Sequence, residues 1–473
     1  MPESAQVLVI GGGPAGATVA GLLAREGMTV VLAERERFPR YHIGESILPS
    51  SLSILDLLGA KDKVSGHGFQ IKRGVLFRWG PDNWSLSFNE LGDDTPYAWQ
   101  VVRSEFDQIL LDHAAELGAD VRQGLTVKDL RFDRGRAVTA TWSESRNSIA
   151  NEISFDYLVD ASGRSGVLAN RYLKNRRFND MFKNVAVWQY WAGAPALAGA
   201  PEGSTGVFST PGGWFWTIPL HDGTLSVGLV TGRDAFSERR NELGGSQEVY
   251  EEAVSRCPGV RDLLAGARPT SPVRIEQDYS YAADAFTAPG CLLAGDAACF
   301  LDPLLSTGVH LATYSGMVGA AAIATVLRGE MAEEEAFGFY ERSYRRAYER
   351  MVLLVSAFYQ TYRGKDYHFY HAQRLSARDK ESLRLHETFL RIASGIEDME
   401  DAKSAAYDLA VDELIGGRAP GESPFRYIPE MRAEPTSARN AIGGLYVRLD
   451  PPLGLARVSG GVRTRGPEMR AAQ

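Results

Sequence analysis

Apolar and polar positions divide this chain into segments of two periods. Val7–Ile10 is an unbroken apolar run, the pattern of a strand buried on both faces of a parallel sheet. A helical pattern over Ala17–Arg25 follows, then a second apolar strand over Thr29–Ala33 that ends in Glu34. Strand, helix and strand in that order predict a βαβ unit. Further on the period drops to two. Val75–Arg78, Trp84–Phe88, Ala98–Val102, Val185–Trp191, Gly206–Phe208, Trp214–Ile218 and Thr224–Val230 read as strands, and Val121–Phe132 with Ala137–Trp142 as a hairpin. Tyr157–Val159 and Cys291–Leu293 return to the buried-strand pattern.

Helical patterns cover Leu52–Leu58, with Ser50 as its cap, and Ser104–Leu117, with Ser104 as its cap. Others cover Ser246–Arg256, Val260–Ala265, Val309–Leu327, Glu333–Ser356, Leu383–Ala393 and Ala402–Leu414. From Gly416 onward the chain is rich in Gly, Pro and Arg and reads as irregular and partly mobile. The order predicts an α/β fold. A Rossmann-like domain over residues 1–330 takes in inserted mixed-sheet segments at about 70–102 and 184–282. A C-terminal helical region and irregular tail follow over 331–473.

Composition narrows the partners. The 473 residues carry 51 Lys and Arg against 59 Asp and Glu, a formal charge of −8, which argues against a nucleic-acid partner. No apolar run approaches the ~20 residues of a membrane span, Gly316–Leu327 being the longest candidate. Three cysteines (Cys257, Cys291, Cys299) are too scattered for a disulfide frame or a zinc site, which suits a cytoplasmic protein. His368, His371 and His386 lack a Cys or carboxylate set at ligand spacing, so no metal is expected.

Chemistry enters at the glycines. Gly11, Gly13 and Gly16 form G-x-G-x-x-G between strand and helix, in register with Glu34. Gly11 permits the turn, Gly13 admits a pyrophosphate to the backbone, and Gly16 lets helix and strand pack closely. Glu34 stands where a carboxylate meets ribose hydroxyls. Elsewhere, Gly213-Trp214-Phe215-Trp216-Thr217-Ile218-Pro219 puts two of the eight tryptophans at i, i+2. In a strand both indoles share one face, and Pro219 closes the strand. By the same alternation Lys72 and Arg73 point to opposite faces. Asp296 follows a buried strand at Gly295, and Thr307-Gly308 opens a helix whose free N–H groups suit an anion.

Taken together and in order, these motifs resemble the flavin-dependent halogenases: G-x-G-x-x-G, the loop His42-Ile43-Gly44-Glu45-Ser46-Ile47-Leu48-Pro49, Lys72 ahead of Gly74 and Trp79-Gly80, W-x-W-x-I-P, Gly295-Asp296, and Asp302-Pro303-Leu304-Leu305-Ser306-Thr307-Gly308. The resemblance is close over about the first 330 residues. It implies FAD, used as FADH2, held by Gly11, Gly13, Pro14, Ala15, Gly16, Glu34, Glu45, Ser46, Arg103, Asp296, Gly308 and Val309. It implies dioxygen, a C4a-hydroperoxide, and chloride or bromide at Thr307 and Gly308. Hypohalous acid would pass Trp214, Trp216 and Pro219 to the catalytic Lys72. A separate flavin reductase would supply FADH2, and the aromatic substrate could be tethered to an acyl carrier protein. Tryptophan-directed members carry a glutamate where this chain has Leu305, which points to the phenol- or pyrrole-directed branch. The aromatics from Phe358 to Tyr370 would pack over the active-site mouth. The same fold also serves flavin monooxygenases and reductases without halogenation.

Lys72 poses a physical question. At an ordinary pKa of ~10.4 only about 1 lysine in 2,500 is neutral at pH 7. A haloamine needs the neutral amine and so a pKa lowered by burial, whereas hydrogen bonding to hypohalous acid works with the charged form. Sequence leaves both open.

Overall fold

A computed structural model describes residues 3–79, 82–91, 97–144, 150–362, 435–438 and 441–458. Two sheets organise it. The first has eight strands, in the order Thr287–Ala288, Cys291–Leu293, Ala150–Asp160, Glu3–Ile10, Val30–Glu34 and Asp120–Gln123, with the hairpin Leu125–Asp133/Arg136–Glu144 attached to Ala150–Asp160. Its central pairings are parallel, Val7 opposite both Val30 and Tyr157. Val7, Leu8 and Val9 are fully buried, as a strand covered on both faces requires. The Pro14–Arg25 and Gly308–Leu327 helices lie against it.

The expected glycine roles have a steric cause. A Cβ on Gly16 would stand 1.9 Å from the Gly11 carbonyl oxygen, and one on Gly11 (φ +105°) 2.3 Å from that of Ala161. Helix and strand reach this distance only without side chains.

The second sheet has nine strands, led by Cys299–Phe300, Arg274–Ala283, Arg176–Ala192, Thr224–Gly232, Gly213–Pro219, Thr205–Thr210, Gly74–Trp79 and Asp82–Ser87. Its long strand begins at Arg176 rather than near 184, and sequence analysis missed its neighbour Arg274–Ala283. Alternation sorts its residues. Phe215, Val227 and Leu229 face the helices Arg233–Leu243, Ser246–Arg256 and Pro258–Leu264 in a separate core. Trp214, Trp216 and Ile218 face the main core. Gly228, paired with Trp216, makes room for the indole: a Cβ there would stand 2.1 Å from the ring. Pro219 ends an interior strand, not one at the sheet's edge.

Several local expectations are corrected. Ser104 does not cap its helix, which spans Arg103–Glu116 after an extended Val102. Ser50 precedes Ser51–Leu58 without capping it, because its hydroxyl meets His310 Nδ1 at 2.8 Å. The tail is not wholly irregular, since Leu445–Arg448 and Gly454–Arg457 form an antiparallel hairpin beside Gly308–Leu327. That 20-residue helix is long and apolar enough to span a membrane, contrary to the reading of the sequence, but 94% of its apolar window is buried in the core. The helices expected at Leu383–Ala393 and Ala402–Leu414, and Tyr367, Phe369 and Tyr370 of the expected aromatic cluster, lie outside the described residues.

Candidate active site

A cavity of about 460 Å³ runs between the two sheets. Gly11, Gly13, Pro14, Ala15 and Glu34 line one end; Glu45, Ser46, Arg103, Asp296, Gly308 and Val309 line it further along. Gly16 packs behind them instead. Trp214, Trp216 and Ile218 form part of the wall, and Pro219 does not reach it.

Glu34 and Arg103 are held by both local and long-range contacts. Glu34 Oε2 accepts from Gly12 N at 2.6 Å and Oε1 from Glu36 N at 2.7 Å, which fixes the carboxylate at the glycine turn. Arg103 is buried and paired twice with Asp107, at 2.8 and 3.0 Å; its remaining nitrogen donates to the Ile43 and Gly44 carbonyls. Half-buried His42 is held neutral, its pKa pushed down to about 3 by desolvation and by Arg103. Asp296 is half-buried, and burial raises its carboxyl above the usual range against the opposing charge of Arg164.

The start of the Gly308–Leu327 helix departs from an ordinary cap. Ser306 takes φ +58° and turns the chain, and Thr307 makes no capping bond. Its buried Oγ1 has no hydrogen-bond partner among the described residues, although Thr307 lines the cavity. A buried hydroxyl without a partner beside free helix N–H groups favours an anion.

Lys72 lies elsewhere, in a neighbouring cavity of about 20 Å³. It is fully buried at the end of the Gln70–Lys72 strand, while Arg73 turns outward to Glu202. Its Nζ donates to Ser46 Oγ at 2.8 Å and Ile47 O at 3.3 Å, and stands 5.5 Å from the centre of the Phe88 ring. Leu48, Val75, Leu86 and Leu305 complete an apolar wall, with no carboxylate among the described lining residues. Burial alone lowers the Lys72 pKa from 10.5 to about 7.

Thr205, Leu304 and Ser306 line both cavities and form the partition between them. Sequence analysis gave this place to the tryptophans, which line only the larger cavity. It missed Thr205, whose hydroxyl bonds Ser46 Oγ at 3.0 Å and receives Gln100 Nε2 at 2.9 Å. No local signal marks Thr205. His368, His371 and His386 lie outside the described residues. Within them, His67, Glu105 and His221 stand at metal-ligand spacing, both imidazoles on Glu105 Oε2 at 2.8 and 3.2 Å, and none of the three lines either cavity.

A glycine cradle closed to any Cβ, a fixed carboxylate beside it and a helix start further along define a dinucleotide-cofactor oxidoreductase fold. The tryptophan halogenase family model matches residues 6–96 and 89–405. A tryptophan 2-halogenase of Chondromyces crocatus is 43% identical over 86% of this chain and 78% of its own. A sulochrin halogenase of Aspergillus terreus is 40% identical over 76% and 70%. Among solved structures, the myxobacterial FAD-dependent chondrochloren halogenase is 36% identical, with a TM-score of 0.69 over 90% of this chain and 93% of that one. The chain belongs to the flavin-dependent halogenases. FAD is therefore the dinucleotide, and the glycine cradle fits its pyrophosphate.

Proposed function

We propose that the protein places chlorine or bromine on an electron-rich phenolic or pyrrolic ring, with Lys72 handling the halogen. The observation that carries this is the lysine itself: fully buried, facing an apolar cavity, and about half neutral near pH 7. When bound, FADH2 from a separate reductase supplies the electrons and the activation of dioxygen. Gly11, Gly13, Pro14, Ala15 and Gly16 form the pyrophosphate turn, and Glu34 takes the ribose. Glu45, Ser46, Arg103, Asp296, Gly308 and Val309 surround the rest. Thr307 Oγ1 and the N–H of Gly308 hold the halide. Hypohalous acid then crosses at Thr205, Leu304 and Ser306. Trp214 and Trp216 wall the larger cavity and keep substrate from the flavin. Of the two roles left open for Lys72, its lowered pKa favours the neutral amine and so a haloamine.

The names of relatives divide on substrate, one acting on tryptophan and another on sulochrin. Leu305 favours the phenolic or pyrrolic reading. It lies in the Lys72 cavity, where none of the described lining residues is a carboxylate that could take a proton from an indole. A ring that activates itself, through a phenolate or a pyrrole nitrogen, needs none. The test is mass spectrometry of reactions with FADH2, oxygen, bromide and either simple phenols and pyrroles or free tryptophan. Brominated phenol or pyrrole with unchanged tryptophan is expected. Efficient bromination of tryptophan would overturn the substrate class and leave the family standing.

Among the described residues the one glycine fingerprint is assigned to FAD, so NAD(P)H has no comparable seat. The purified protein is expected to oxidise NADPH no faster than free flavin does. Rapid NADPH oxidation with flavin reduced in step refutes dependence on a separate reductase.

A further inference from the structure

We propose that Tyr41, Tyr190 and Glu45 form a proton path from solvent into the larger cavity, with Glu45 delivering the proton that halide oxidation consumes. This rests on the halogenation proposed above. That oxidation balances as FADH2, O2, halide ion and one proton giving FAD, hypohalous acid and water. The O–O bond breaks and an O–halogen bond forms. Oxygen gains four electrons, two from the flavin and two from the halide. The reactants FADH2, O2 and halide do not themselves bring the proton, and the cavity wall at Glu45 is buried.

Glu45 is 3% exposed and lines that cavity. Its Oε1 accepts from the Tyr190 hydroxyl at 2.6 Å, and its buried Oε2 makes no hydrogen bond of good geometry among the described residues. The Tyr190 hydroxyl also stands 2.9 Å from that of Tyr41. A phenol has one hydrogen. Tyr190 commits its own to Glu45, so the Tyr41 hydroxyl must donate to Tyr190. Trp188 Nε1, donating to the Tyr41 oxygen at 2.7 Å, fixes the same orientation. Each hydroxyl hydrogen therefore points inward. Tyr41 is 45% exposed and opens the chain to water, with the Arg274 guanidinium 3.9 Å above its ring. One hop along the chain protonates Glu45 on the Oε1 side, and rotation of the carboxyl turns that proton to the cavity.

The surroundings suit a donor that works near neutral pH. Burial raises the Glu45 pKa to about 7, with Asp222 adding to the rise. The Tyr190 and Ser226 hydroxyls and the Arg103 cation oppose it. Arg103 is itself spent on Asp107, which leaves the carboxyl free to hold a proton.

The test has two parts. Infrared titration of the protein without FAD should show a carboxyl that deprotonates near pH 7. The signal should be lost in Glu45→Gln and displaced to higher pH in Tyr190→Phe, which removes a hydrogen bond to the charged form. In single turnovers with FADH2, oxygen and bromide, Glu45→Gln should cut brominated product by roughly 10²-fold, with hydrogen peroxide released instead. Tyr190→Phe and Tyr41→Phe, which delete one oxygen each, should bind FAD normally and shift the pH profile of product yield. If Glu45→Gln does not fold, these two phenylalanine variants decide. Wild-type yields and pH profiles in both, or no carboxyl titrating near pH 7, overturn the path. Absence of any product from the wild-type protein would instead overturn the halogenation it rests on.

Discussion

Lys72→Met is expected to fold, bind FAD and consume oxygen from FADH2 while making no halogenated product. Burial shifts the lysine from 10.5 to about 7, equivalent to roughly 5 kcal/mol against the charged amine. Methionine is unbranched, only one atom shorter, and carries no charge. Among the described lining residues no carboxylate is left without a counter-ion, and Ser46 Oγ keeps its 3.0 Å contact with Thr205. Stability should therefore hold or rise. Loss of product should reach the order of 10³-fold or more, as when a covalent participant is removed, with hydrogen peroxide as the alternative product. Bromination at the wild-type rate would rule out any role for Lys72. The same shift sets a dependence on pH. The unfolded chain keeps the lysine's proton up to about 10.5 and the folded protein releases it near 7. Between those values the unfolded state binds more protons, so wild-type stability rises with pH. Denaturation midpoints at pH 7 and pH 9 should show that rise in the wild type and lose most of it in Lys72→Met. Product formation, if it uses the neutral amine, should climb as pH passes 7.

Gly16→Ala is expected to abolish useful FAD binding. Its Cβ would stand 1.9 Å from the Gly11 carbonyl oxygen, an obstacle of backbone and not of a mobile side chain. Relief requires the Pro14–Arg25 helix to move off the Glu3–Ile10 strand, which opens the turn proposed to hold the pyrophosphate. A cost of about 3 kcal/mol, or roughly 10²-fold in affinity, follows from overpacking of this kind. Gly66→Ala is the control, since nothing lies within 4 Å of a Cβ there. Fluorescence titration with FAD separates the two. Equal affinity in both variants would show that the turn tolerates a side chain and that the close approach does not position the cofactor.

The sequence by itself determined whatever depends on backbone period and local sterics. A strand alternates its faces whatever surrounds it, so Trp214 and Trp216 had to share a side, and Lys72 and Arg73 had to part. The glycine turn and Glu34 were readable for the same reason: they lie within one βαβ unit of some thirty residues. Tertiary structure decided the rest, because burial and pairing arise only when distant segments meet. Ser50 had the composition of a cap, yet His310, 260 residues away, offered its hydroxyl a better partner. The tail after Gly416 looked irregular until the Leu445–Arg448 hairpin found the Gly308–Leu327 helix to pack on. Thr205 joined the partition from 159 residues beyond Ser46, and Tyr190 reached Glu45 across 145. Above all, the identity of Lys72 was visible from the start, but not its pKa. An apolar cavity with no lining carboxylate makes charge costly there. That desolvation is a property of the walls, which come from several separate stretches of chain.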